Sequence, residues 1–297
     1  RKQSDPAILL KLVDELKSKY PVRTLCTVLA VPHSSYYEYC KETPPSNRQN
    51  ETRKLREDIM AVYIDSQKRY GAPKIRELLA KTYPLLSVNR VQRHMKALGI
   101  RSIVHKKYKP YKSEPVYELG ENLLKRDFST TKPNEKWVAD ITYVHTAQDG
   151  WCYLASVLDL HLKKIVGYCF SKTMTKDIVL TALDQAVKTH NPSPGLIVHT
   201  DRGSQYTCHE YRDKVENELQ FKLSYSRKGC PYDNAAIESF HAILKKELVY
   251  TKTFRDYKHA RMELFQYIEG FYNRKRIHSA LNYLSPVQFE QICKRAA

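Results

Sequence analysis

Three strand-length runs follow one another between residues 136 and 171, and no other feature limits the fold of this chain so tightly. In the first, Trp137, Val138, Ile141, Tyr143 and Val144 give the alternating, β-rich pattern of a strand with one face buried. Runs near 151–159 and 164–171 repeat it. After them the pattern becomes a helix near 176–189, a strand at 196–200, a helix near 207–217, a short strand at 221–226 and a helix from about Asn234 to Val249. Three adjacent strands followed by alternation with helices predict an α/β layer structure.

Three acids stand at special places in this pattern. Asp140 interrupts the first strand, where a carboxylate is costly to bury unless it meets a cation. Asp201 follows the apolar run Leu196, Ile197, Val198 and precedes Arg202-Gly203-Ser204, a buried strand opening into a loop, and ligands of open α/β sheets collect at such strand ends. Glu238 lies on a helix whose core face is Ile237, Phe240, Leu244 and Leu248. Asn234, four residues before it, and Lys245, seven after it, share nearly the same stripe. Any one such Asp is more often a cap or a salt-bridge partner. Taken together, two aspartates and a glutamate without a His or Cys partner suit a hard cation bound through oxygen, so Mg²⁺ or Mn²⁺ is favoured over zinc.

Sixty residues separate Asp140 from Asp201, and thirty-six separate Asp201 from Glu238. With WVADITYV, LDL, IVGY, HTDRGSQY, RKGCPYDNAAIESF, LKKE and YNRKRIHSALNYLSPVQF between about residues 130 and 290, the chain resembles the integrase-core DDE transposases of bacterial insertion sequences, the second-reading-frame type related to retroviral integrases. The resemblance implies an RNase H-like core with Asp140, Asp201 and Glu238 as catalytic and metal-binding acids. It also implies two Mg²⁺ or Mn²⁺ ions, cleavage at the element ends, and joining of the freed 3′ end to DNA. The implied partners are double-stranded DNA, as terminal inverted repeats and target, and further copies of the chain on that DNA; the implied location is the bacterial cytoplasm. Lys245 would contact DNA beside the scissile phosphate, and Asn234 would orient Glu238. The last spacing is one longer than the family's usual thirty-five, and the extra residue is expected within Val215–Tyr225. Asp159, in Leu158-Asp159-Leu160, is expected to be structural.

A formal net charge of +18 makes a polyanion the natural partner. Residues 1–130 hold 26 basic and 14 acidic residues, against 24 and 18 in the remainder, so the excess sits in the front. No apolar run approaches the roughly twenty residues that span a bilayer, which excludes a membrane-spanning helix, and no signal peptide is visible. Seven scattered cysteines without a Cys-x-x-Cys read as free thiols of a reducing compartment. Arg1 in place of Met suggests an incomplete frame or a processed chain, and in the family a frameshift can fuse an upstream helix-turn-helix and zipper segment.

The front reads as two helical units. Ile8, Leu9, Leu12, Val13 and Leu16 form a stripe, followed by Leu25, Val28 and Leu29 and a Pro-bearing turn, which resembles a helix-turn-helix; Thr43 to Asn47 reads as a linker. From Glu51 to Gly99 three helices are expected, the third capped by Ser87. Arg90, Arg93 and Lys96 fall on its polar side, where a recognition helix carries DNA contacts. Nine Lys or Arg and no acid lie between Leu78 and Ser113, Arg101, Lys106 and Lys107 among them. Arg227, Lys228, Arg274 and Arg276 complete the candidate DNA contacts, the last two within a cluster of Asn273, Arg274, Lys275, Arg276 and His278 expected to be exposed. The expected division is 1–45 helical, 46–112 helix-turn-helix, 113–130 linker, 131–250 catalytic core and 251–297 helical extension. An inactive integrase-like DNA-binding regulator and a nuclease that only hydrolyses are the alternatives.

Overall fold

The computed structural model describes residues 6–40, 47–103, 120–227 and 230–296, and the chain clusters into two units, 1–57 and 58–297. In the first, α1 (Pro6–Leu16), α2 (Val22–Val28) and α3 (His33–Cys40) close over Val13, Leu25, Cys26 and Tyr36. Three short helices enclose little volume, so Ile8 of the predicted stripe stays mostly exposed. The boundary between units falls inside α4 (Asn47–Asp65), which takes up Asn47 from the predicted linker. In the second unit α5 (Ala72–Leu79) and α6 (Val88–Ala97) follow. Ser87 caps α6 as expected, its Oγ accepting from the Arg90 N–H at 3.2 Å, and Val91 and Met95 face inward.

The core is a mixed five-stranded sheet in the order β3-β2-β1-β4-β5. β1 (Lys136–Thr146), β2 (Gly150–Asp159) and β3 (Lys164–Ser171) form an antiparallel meander, while β4 (Ile197–Thr200) and β5 (Lys222–Tyr225) add in parallel beyond β1. One face, with Trp137, Ala139, Ala155, Val157 and Val166, packs against α7 (Lys176–His190) through Ile178, Ala182 and Leu183. The approach is close at Gly167, where a Cβ would lie 2.2 Å from the Ala182 carbonyl oxygen. Strand alternation turns Val138, Asp140 and Thr142 to the opposite face.

The single helix expected near 207–217 is broken into α8 (Ser204–Thr207), α9 (His209–Asp213) and a π turn, Lys214–Glu218. Tyr206 and Tyr211 are both buried, yet five residues of continuous α-helix would set them about 140° apart. The extended residue Cys208 lets both rings turn inward. In the π turn the Leu219 N–H bonds to the Lys214 carbonyl at 3.0 Å, closing a turn with one residue more than an α turn uses. α10 (Ala235–Glu247) is headed by a 3₁₀ turn, Pro231–Asn234, and lies against β1 and β2. α11 (Tyr257–Phe265), a second π turn (Gln266–Tyr272) and α12 (Pro286–Ala296) complete the chain.

Residues 120–127 belong to the core, although they were expected within a linker. The Tyr225 N–H of edge strand β5 bonds to the Glu121 carbonyl at 3.1 Å, the Leu123 N–H bonds to Ser224 Oγ at 2.9 Å, and Leu124 is buried. Asp159 is structural: its carboxylate accepts from the N–H groups of Asn134, His161 and Leu162 and from the Trp137 indole. Of the tail cluster expected to be exposed, Arg274 and Lys275 are exposed and His278 is half-buried, whereas Asn273 and Arg276 are interior. Asn273 bonds to both the N–H and the carbonyl of Ile165 at 3.0 Å, and Arg276, only 8% exposed, pairs with Glu247 at 3.1 Å. The residues around them, Tyr267, Ile268, Phe271 and Tyr272, are buried and draw this segment inward.

Candidate active site

Asp140 sits in mid-strand opposite Ser156 of β2, on the face that α10 covers. Its Oδ1 accepts from the Ile141 N–H at 2.8 Å, and its Oδ2 lies 3.4 Å from Nδ1 of His241. The other imidazole nitrogen of His241 is 3.3 Å from Ser156 Oγ, so a buried His–Ser pair backs the carboxylate. Sequence reading missed His241, although it lies one helical turn beyond Glu238, on the same face. Parallel pairing of β1 with β4 sets Ala139 beside Thr200, which brings Asp140 and Asp201 to the same level of the sheet.

The Asp201 carboxyl is pushed up to about 6, first by burial and then by the negative charge of Asp140, with the Gly203 N–H opposing. That N–H donates to Asp201 Oδ1 at 2.9 Å. Glu238, in the first turn of α10, keeps contact with solvent; burial of its inner side and then the charge of Asp140 raise its carboxyl above the usual range. Burial depresses the Lys245 ammonium, and Asp140 again is the charge that opposes the shift. Asp140 is therefore the common neighbour of Asp201, Glu238 and Lys245.

Among the described residues no three His, Cys, Asp or Glu side chains are grouped closely enough to hold one metal ion. Carboxylates without a countercharge between them repel. A magnesium-like ion, moreover, takes one or two protein carboxylates and completes its octahedron with water and substrate phosphates. Asp140 acts electrostatically on both Asp201 and Glu238, and the all-oxygen chemistry of these carboxylates is of the kind that suits a hard divalent cation.

The segment that carries Glu238 is held by a second carboxylate that the sequence did not single out. Asp233, whose side chain is inaccessible to solvent, accepts from Asn122 Nδ2 at 2.9 Å, Arg126 Nε at 2.8 Å, and the backbone N–H, Nε and Nη2 of Arg227 at 2.9–3.0 Å. Asn234, next in line, is buried at the head of α10, and its side-chain oxygen has no hydrogen-bond partner among the described residues.

A model described as "Integrase core domain" matches residues 130–231, a second of the same description matches 219–286, and one described as "HTH-like domain" matches 49–108. The chain is 36% identical to "Transposase InsF for insertion sequence IS3A" of Escherichia coli K12 over 282 residues, covering 94% of this chain and 96% of that one. The chain belongs to the integrase-core transposases of bacterial insertion sequences. A 40% identity to "Transposase for insertion sequence element IS904" of Lactococcus lactis covers 83% of this transposase and 97% of that relative. The HTLV-2 integrase catalytic core, solved in complex with magnesium, overlays 53% of the chain and 97% of its own at a TM-score of 0.41 and 15% identity, too loosely to bear on the site.

The candidate DNA contacts divide by exposure. Arg90, Arg93 and Lys96 line the outer face of α6, and Arg101 and Arg274 are also exposed. Arg227 is tied to Asp233, and Arg276 is a buried ion-pair partner of Glu247, which corrects its assignment as an exposed contact. Lys106, Lys107 and Lys228 lie outside the described residues. No described helix is long and apolar enough to cross a membrane.

Proposed function

We propose that this transposase cleaves DNA at the ends of its element and joins the freed 3′ end to DNA, with Asp140, Asp201 and Glu238 as its catalytic acids. The observation that carries the reading is the position of Asp140, whose charge reaches both other acids and Lys245. These three residues would hold two Mg²⁺ or Mn²⁺ ions, which when bound supply an activated water or 3′-hydroxyl and neutralise the leaving 3′-oxygen. The chain's own contribution is positioning. His241 and Ser156 fix the carboxylate of Asp140, the Gly203 N–H fixes that of Asp201, and the Asp233 clamp sets the start of the Glu238 helix. Lys245 grips a phosphate beside the acids, and Asn234 steadies the first turn of α10. Residues 1–45 and 46–112 would recognise DNA, with Arg90, Arg93, Lys96 and Arg101 as backbone and base contacts and Lys106 and Lys107 beyond them. Residues 131–250 would carry the chemistry on target and element DNA, and 251–297 would brace them in a homo-oligomer.

The test is incubation of the full chain with duplexes bearing the terminal inverted repeats and a target, in Mg²⁺ or in EDTA. Joined strands in Mg²⁺ alone are expected; nicks without joining would make it a hydrolytic nuclease, and binding without nicks an inactive regulator. Lys245→Ala should lose joining more than cleavage, since water needs no grip in line whereas a DNA 3′-hydroxyl does. Equal losses with the fold intact would remove Lys245 from that role.

A further inference from the structure

Cations gather at a second place in the 58–297 unit, away from the acids. Lys74 of α5 lies over the ring of Tyr70, 4.8 Å from its centroid. Tyr70 in turn donates from its hydroxyl to the Lys275 carbonyl and accepts from the Ile277 N–H, each at 3.0 Å, which ties the start of α5 to the 275–278 segment. There the Arg276 guanidinium lies over the Tyr272 ring and 3.5 Å from Nε2 of His278. Asn273 pins this segment to Ile165, two residues beyond Lys163 in the β2–β3 turn. Lys74, Lys163 and His278 are all partly open to solvent, and Arg276, whose charge reaches Lys74 and His278, is buried beside them.

The charges of this cup do not cancel. Glu247 is committed to Arg276 and to the Tyr267 hydroxyl; among the described residues neither Lys74 nor Lys163 forms an ion pair, and the carboxylates of Glu247 and Asp159 reach them only through their charge. The consequences show in each group. The Lys74 ammonium is driven down to about 8, by burial first and Arg276 second. Burial and then the charges of Arg276, Lys74 and Lys163 drive the His278 imidazole down to about 3, so it is neutral and can act only as a hydrogen-bonding group. Crowding like charges at a half-buried point is unfavourable unless an anion completes it. A phosphodiester, with two oxygens open to Lys and His donors, is the anion that a DNA-handling chain meets.

We propose that Lys74, Lys163 and His278, beside Arg276, bind one backbone phosphate of the DNA whose scissile phosphate lies at Asp140. This rests on the catalytic reading above and extends it. Glu247, the partner of Arg276, is nine residues beyond Glu238 on α10, about 14 Å along the helix axis. That is about four nucleotides at 3.4 Å each on one strand, so one strand can reach both places. Its register would then be set from two ends of the same helix.

The test is the salt dependence of binding to a duplex carrying the element end, measured with the full chain in EDTA so that no chemistry intervenes. Lys74→Gln should lower the slope of log K against log salt by about 0.9, the value of one phosphate contact, and Lys74→Arg should restore it. An unchanged slope for Lys74→Gln, with native circular dichroism, would overturn the site. The unaltered protein gives a second readout. A low-pKa amine reacts early with an amine-acylating reagent at pH 8, so peptide mass spectrometry should find Lys74 labelled quickly in the free chain and protected by DNA. Equal labelling with and without DNA would also overturn the site. Failure of the unaltered chain to bind the duplex would sink the catalytic reading along with it, whereas binding with an unchanged Lys74→Gln slope would sink this site alone.

Discussion

Replacing Asp233 with Asn should cost stability and displace Glu238 in a way that can be measured separately. Five donors converge on this carboxylate, three of them from Arg227, and no solvent reaches its side chain. An Asn keeps the volume and one acceptor oxygen but loses the charge and turns an NH₂ toward the donors that faced the other oxygen, leaving those unpaired. Breaking a buried ion pair from one side costs about 3–5 kcal/mol. Here the side chains of Arg126 and Arg227 are 47% and 55% exposed and can regain water, so about 2–3 kcal/mol is expected. For a unit of this size, about 2–4 °C per kcal/mol translates to a midpoint about 4–12 °C lower. Thermal unfolding followed by circular dichroism at pH 7 reads it directly.

The pH dependence follows from the direction of the shift. Arg227, opposed by burial and helped by Arg126, holds the Asp233 carboxyl well below the usual carboxylate range. A lowered folded-state value means that the ionised carboxylate stabilises fully above the unfolded value of about 3.9 and loses that contribution as pH falls below it. The gap between native protein and Asp233→Asn should therefore be constant near neutrality and narrow below about pH 4. Because Glu238 lies five residues farther on, DNA joining should fall while DNA affinity holds. A midpoint change under about 1 °C, or a gap that widens in acid, would refute the clamp.

Replacing Arg90, Arg93 and Lys96 together with Ala should weaken duplex binding and lower its salt slope by up to about 2.7, at about 0.9 per neutralised phosphate; an unchanged slope would make the outer face of α6 a solvated surface. Arg276→Ala should lower the unfolding midpoint strongly, because it strands the carboxylate of Glu247 in the interior, at about 3–5 kcal/mol. Arg274→Ala, two residues earlier at an exposed position, should change it by less than about 0.5 kcal/mol; similar effects from the two would contradict their different burial.

The strands and the acids were legible because both obey local rules. Alternating hydrophobes marked β1 to β3, and Asp140 stood out as a charge among them; the register of β1 with β4 then brought Asp201 level with it. What stayed hidden depends on partners far away in the chain. Nothing local to Asn122, Arg126, Arg227 and Asp233 announces that three residues from two other segments meet on the Asp233 carboxylate. The basic run Asn273 to His278 looked like a surface by composition alone, yet Asn273 and Arg276 find backbone and carboxylate partners inside. The break at Cys208 was invisible to helical periodicity because it serves two tyrosines whose spacing no regular helix accommodates.

The central claim, that Asp140, Asp201 and Glu238 act as one cation-binding site, is tested most directly by counting Mn²⁺ bound to the DNA-bound chain, by electron paramagnetic resonance, in native protein and in Asp140→Asn, Asp201→Asn and Glu238→Gln. Two ions per chain are expected in native protein, with Asp140→Asn losing both and each of the other two losing at least one. Native-like binding in Asp140→Asn, with DNA still bound, would contradict the site.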